Sequence, residues 1–162
     1  MRGLKCNAYG YTLRDICLRD SMWLHYYIYT NPNITMWNGY VPHEKKIQSW
    51  WSTLRNYFIT RFSKTMYYIV CYDREPIGVL CLREMSATTL EMSYNVAADQ
   101  QSKGHGTHMA QMACDIAKSL GYSFVFARIL PMNEPSIHVF EKNGFEITRL
   151  NFMYGAVKRL KN

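Results

Sequence analysis

The chain has 162 residues, 48% hydrophobic and 19% charged, a globular balance that excludes a disordered or fibrous protein and suits one domain, 1–162, with a single core. Its 19 Lys and Arg against 12 Asp and Glu give a formal charge of +7, yet no block of five or six like charges appears, so the excess suits a phosphorylated cofactor or a solvated surface and gives no reason to expect a nucleic-acid partner. No apolar run approaches the roughly 18 to 20 residues of a membrane span, Met1 to Asp20 lacks a signal-peptide core, and five cysteines without a C-x-x-C pair argue against a disulfide framework or a zinc site, so the expectation is a cytoplasmic protein with no membrane partner and no metal.

Met1 to Ala8 shows no period and reads as a lead-in. Tyr9 to Ile16 is β-prone and predicts a first strand. From Asp20, the residues Met22, Trp23, Tyr26, Tyr27 and Tyr29 recur at helical spacing, with Asp20 or Ser21 as cap and Asn31-Pro32-Asn33 as the stop. A loop through Trp37-Asn38-Gly39-Tyr40 leads to a second helix from Pro42 to about Tyr57, whose apolar stripe is Ile47, Trp50, Trp51 and Leu54. Met66 to Tyr72 and Ile77 to Arg83 flank the turn Asp73-Arg74-Glu75-Pro76 and predict a hairpin; Thr89 to Val96 adds a third consecutive strand.

Next come Gln101-Ser102-Lys103-Gly104-His105-Gly106 and the amphipathic run Thr107 to Leu120, which Gly121 ends. Tyr122 to Leu130 is a strongly apolar strand, so strand, helix and strand make a parallel crossover. Asn133-Glu134-Pro135-Ser136 opens a short helix to about Asn143, Gly144 stops it, and Phe145 to Leu150 with Asn151 to Val157 supply two final strands. The order predicts an α+β fold: a mixed, mostly antiparallel sheet of about seven strands flanked by helices, with one β-α-β crossover.

The glycine loop stands where a strand gives way to a helix. A helix start offers unpaired N–H groups and the positive end of a dipole, and glycines let an anion approach them. A dinucleotide fingerprint fails because Met109 stands where the third glycine belongs. A nucleotide-hydrolase loop fails because Lys103 precedes its glycine.

The pattern Q-x-x-G-x-G does fit, and so do its flanks. The strand Leu90-Glu91-Met92-Ser93-Tyr94-Asn95-Val96, the loop, and the later segment Asn133-Glu134-Pro135-Ser136-Ile137-His138-Val139-Phe140-Glu141-Lys142-Asn143-Gly144-Phe145 together resemble the GNAT superfamily of acyl-CoA-dependent N-acyltransferases, most closely over Glu91 to Glu146. The resemblance implies acetyl-CoA as donor and a primary amine as acceptor. It implies that Gln101, Ser102, Lys103, Gly104, His105, Gly106 and Thr107 line the pyrophosphate, that Tyr94, Asn95 and Val96 pair with the pantetheine arm, and that Asn133, Ser136 and Phe140 belong to the same cofactor site. A helix start opposes a cation at His105, which reads as a solvent-facing loop residue before an acid or base.

Acyl transfer needs a neutral amine, a polarised carbonyl and a proton for the leaving thiolate. By resemblance, Glu91 stands where members often carry the base, although it reads equally as a sheet-face carboxylate paired to Lys or Arg, and the Val96 N–H is the oxyanion donor. Many members have tyrosine where this chain has Phe140, which carries no proton. In the subgroup acting on ribosomal-protein N-termini the serine matching Ser136 is a candidate donor; it reads equally as the cap of the short helix, and Tyr94 is a reserve donor. Asn133 either contacts the cofactor or holds the loop. For the acceptor, Trp37 and Tyr40 are the pocket candidates. The stretch Tyr27 to Trp51 resembles acetyltransferases of amino groups on nucleotide-linked sugars, with protein N-termini or lysines as the alternative and a non-catalytic acyl-CoA-binding module as a reading of another class. A monomer or homodimer is expected.

Overall fold

Among the described residues, seven strands form one sheet in the order β1-β2-β3-β4-β5-β7-β6. The computed structural model describes residues 10–37 and 42–160; the expected lead-in and Tyr40 lie outside them. Strands β1 (Tyr11–Asp15), β2 (Thr65–Tyr72), β3 (Glu75–Glu84) and β4 (Thr89–Val96) run as an antiparallel meander. The β2–β3 hairpin turns on Asp73 and Arg74, both at positive φ (47° and 73°), the mirror-type geometry that matches strand twist. Helix α4 (His105–Ser119) then carries the chain over the sheet to β5 (Phe124–Ile129), which lies parallel to β4. Helix α5 (Glu134–Lys142) precedes β6 (Glu146–Arg149) and β7 (Tyr154–Arg159), and β7 inserts between β5 and β6. The expected α+β architecture with its single crossover is therefore present.

Strand alternation buries both faces of the central strands. Leu80, Leu82, Leu90, Met92 and Val125 pack under α4 with Met109, Ala113 and Ile116, and Phe140 and Phe145 extend this core toward α5. Ile69, Cys71 and Ala97 face the other way, against Ile16, Leu24, Ile28 and Ile34.

The N-terminal helices depart from expectation. After a 3-10 turn at Leu18–Asp20, α1 (Ser21–Leu24) relaxes into a π turn at His25–Tyr29. Asp20 does not cap α1: its carboxylate accepts from the Cys17 N–H at 2.8 Å and from both terminal nitrogens of Arg14. Asn31-Pro32-Asn33 interrupts the chain but restarts it as well, because proline at a first helical position costs no hydrogen bond; α2 runs Pro32–Trp37, so Trp37 ends a helix and is not a loop residue.

Helix α3 (Lys46–Phe62) starts four residues after Pro42 and ends five after Tyr57. Its orientation is the larger correction. Ile47, Trp50 and Trp51 are exposed, while Ser49, Thr53 and Asn56 are buried. The inward face is a hydrogen-bonded one. Ser49 Oγ lies 2.9 Å from His25 Nδ1 and 3.0 Å from His43 Nδ1, Thr53 donates to the Ser49 carbonyl, and the Asn56 amide donates to the Tyr29 hydroxyl. Small hydroxyl residues let α3 seat closely on α1 and satisfy the buried His25, which an aromatic stripe could not do.

Candidate active site

Strands β4 and β5 pair only at Thr89, Glu91 and Leu90 between them, opposite Phe124 to Phe126; beyond these three pairs the strands part, while β4 stays paired to β3 through Val96. From Met92 onward β5 no longer pairs with the edge of β4 that faces it, which makes room there for a strand-like ligand. The cleft formed there is bounded by Tyr94, Asn95 and Val96, by the glycine loop with His105 and Thr107, by Asn133, Pro135, Ser136 and Val139 at α5, and by Ile34 of α2. At about 230 Å³ it falls below the roughly 300 to 1,000 Å³ of drug-sized pockets.

Gly104 is the N-cap of α4 at φ +82°, with open space where a Cβ would stand and no side-chain cap over the first turn. Ser102 also has positive φ. The first-turn amides and the dipole therefore face an open cradle suited to an anionic group. Gly106 serves clearance instead: a Cβ there would lie 3.2 Å from the Tyr94 ring. Gln101 donates its amide to the Val96 carbonyl at 3.4 Å and ties the loop to the end of β4. Lys103 does not line the cleft; its ammonium donates to Gln100 Oε1 at 3.1 Å.

His105 is buried, not solvent-facing. It opens α4, and its Nδ1 lies 2.7 Å from the hydroxyl of Tyr11 on β1. Burial, then the charges of Lys103 and His108, hold its pKa below the ordinary histidine range, as a helix start requires. The sequence spacing missed this because Tyr11 stands far away in the chain.

At the throat of the cleft the Tyr94 hydroxyl lies 3.4 Å from Ser136 Oγ. Asn133, not Ser136, caps α5: its Oδ1 accepts from the Ser136 N–H at 3.2 Å, which leaves the serine hydroxyl for the cleft. Burial raises the Tyr94 pKa although the Ser136 hydrogen bond opposes it, so the phenol keeps its proton. Phe140 is no cofactor-lining residue. It is buried between Tyr94 and Phe145, with ring centroids 5.9 and 4.9 Å away, and supports Tyr94 from behind.

Glu91 stands outside the cleft lining, on the sheet face opposite α4. Arg128 Nη1 binds its Oε1 at 2.7 Å, and Arg83 binds Oε2 through Nε at 2.8 Å and through Nη2. Both carboxylate oxygens are thus committed to guanidinium groups, the sheet-face pairing that the sequence left open beside the base. Arg83 and Arg128 remain about half exposed. Ile34, Gln100 and Val139 line the cleft without having been expected there. Gly78 was missed too: a Cβ there would lie 2.4 Å from the Asn95 carbonyl, a close approach that a glycine inside a strand signals.

Residues 11–146 match the family model described as Acetyltransferase (GNAT) domain. No curated protein matches the chain. Solved structures similar in fold include the Salmonella typhimurium acetyl transferase that modifies the N-terminal serine of ribosomal protein L7/L12 (14% identity, 95% of this chain and 97% of that one, TM-score 0.79). They include the aminoglycoside acetyltransferase AAC(6')-Ib in complex with coenzyme A (20% identity, 92% and 94%, TM-score 0.78). The spermidine N-acetyltransferase of Vibrio cholerae in complex with CoA and spermine is similar as well (22% identity, 94% of each chain, TM-score 0.74).

Proposed function

We propose, from the premise that this chain belongs to the GNAT family and is an acyl-CoA-dependent N-acetyltransferase, that Tyr94 and Ser136 serve its leaving group and that its acceptor is an amine carrying an anionic group. Bound acetyl-CoA supplies the activated acetyl. The chain's own residues do the rest. The first turn of α4 after Gly104 holds the pyrophosphate, and the stretch Tyr94, Asn95 and Val96, where β4 has parted from β5, aligns the extended arm, with the Val96 N–H turned to the thioester oxygen. Tyr94, protonated and backed by Phe140, gives its hydroxyl proton toward the departing sulfur and is resupplied through Ser136. The observation that carries this reading is the hydroxyl pair at the throat of the same cleft that the glycine loop closes.

We take the acceptor to approach over the sheet face opposite α4, where Glu91 with Arg83 and Arg128 leaves one positive charge in excess. Such a face repels polyamines and aminoglycosides, which need carboxylates, and suits an amino sugar on a nucleotide carrier; an acidic protein N-terminus is the second reading. The amine loses its proton to water, because both Glu91 oxygens are engaged.

Thiol release from acetyl-CoA across a panel of a nucleotide-linked amino sugar, N-terminal peptides, spermidine and an aminoglycoside tests the proposal. Turnover greatest with the nucleotide-linked sugar supports it. Turnover greatest with spermidine contradicts the acceptor reading, and cofactor binding without release by any amine contradicts turnover itself.

A further inference from the structure

Helix α3 faces its hydrocarbon outward. Ser49 and Thr53 are fully buried, while Ile47, Trp51, Phe58 and Phe62 are 54, 59, 49 and 80% exposed. At 3.6 residues per turn these four and Leu54 fall in a stripe roughly 80° wide and about 22 Å long. Arg55 and Arg61, both exposed, lie on its two flanks. From Lys45 through Tyr72 the sequence holds Lys45, Lys46, Arg55, Arg61 and Lys64 and no Asp or Glu. Among the described residues, Lys64 alone of these pairs with a carboxylate, that of Glu84. Lys46 lies over the Tyr26 ring and Arg61 over the Tyr57 ring, so their charges stay at the surface.

These observations choose among occupants. A second copy packed α3 on α3 would oppose cations with cations and supply no carboxylate. A single-stranded nucleic acid would stack on Trp51 or Phe58, but Ile47 and Leu54 offer no ring. A straight apolar line with cations along both edges matches a surface that is anionic at one depth and hydrocarbon just beneath it. We propose that α3 is an interfacial docking face for an anionic phospholipid surface, with the helix axis parallel to the bilayer plane. This is contact from one side, compatible with the finding that no helix among the described residues is long and apolar enough to cross a membrane.

Flotation of the whole protein with vesicles of phosphatidylcholine containing about one third phosphatidylglycerol, against phosphatidylcholine alone, tests this. Binding to the anionic vesicles, at least roughly ten-fold above neutral ones and weakened by salt, is expected. The double substitution Phe58→Ser with Phe62→Ser abolishes it, and Arg55→Gln with Arg61→Gln weakens it at least about ten-fold. Both variants keep the wild-type melting temperature and acetyl transfer, since these side chains are exposed and lie outside the cleft. Absence of binding, equal binding to neutral vesicles, or binding undiminished in the double Phe variant overturns the proposal. A dimer in sedimentation, or RNA binding, lost in that same variant would assign the face to another occupant and overturn it equally.

Discussion

Two glycines two positions apart do different work, and substitution separates them. Gly104→Ala puts a Cβ into open space but at φ +82°, where an L-residue is strained by roughly 1 kcal/mol, and it narrows the anion cradle. The expected result is a lower melting temperature and weaker coenzyme A binding by calorimetry, with kcat at saturation nearly kept. Gly106→Ala instead presses on the Tyr94 ring 3.2 Å away, so kcat falls while affinity changes less. Tyr94→Phe removes the proton donor, and a loss of about 100-fold in kcat is expected with the CoA dissociation constant within two-fold. Burial raises the Tyr94 pKa, so the protonated, active form persists to higher pH than an ordinary phenol, and the wild-type rate should decline only on the far alkaline side. His43 and His105 have pKa values held below their unfolded value, chiefly by burial. The unfolded chain therefore binds more protons as pH falls below about 6.5, and stability drops from there downward. Urea midpoints measured from pH 8 to 5 check this; a flat profile would contradict the lowered pKa values of both.

Among elements, what could be read from the sequence depended on how local the cause was. The loop and α5 were legible because glycine and Asn133 act on backbone within a few residues, and their spacing carries the geometry. The seven strands were legible from alternation and turns. The orientation of α3 was not, because its inward face is set chiefly by His25 and Tyr29, more than twenty residues from their partners, with His43 just before the helix, and these hydrogen bonds outweigh the apolar stripe. The Tyr11–His105 contact and the double clamp on Glu91 are likewise products of the sheet order. Gly78 gives an element-scale prediction. Gly78→Ala forces β3 away from the Asn95 carbonyl, costs about 1 to 3 kcal/mol in denaturant unfolding, and weakens cofactor binding through the displaced end of β4. Wild-type stability in this variant would mean that the strands absorb the methyl without moving.

For the whole molecule, the sheet is two half-sheets joined along β4 and β5. The excess charge of the open face belongs to this scale too, since Arg83, Glu91 and Arg128 come from three strands. Glu91→Gln removes the shared anion, and the two half-exposed guanidiniums then repel each other with a loss of roughly 1 to 2 kcal/mol. KM for an anionic acceptor should fall while kcat holds, and a collapse of kcat alone would restore Glu91 as the base. Three ladder pairs, with the Thr88 carbonyl bonded to the Ser123 and Phe124 N–H groups at their start, stitch β1-β2-β3-β4 to β5-β7-β6. Pulled apart by its ends, the molecule would tear first along this seam, and a donor lying between the strands would act as a patch that raises the force needed to open it.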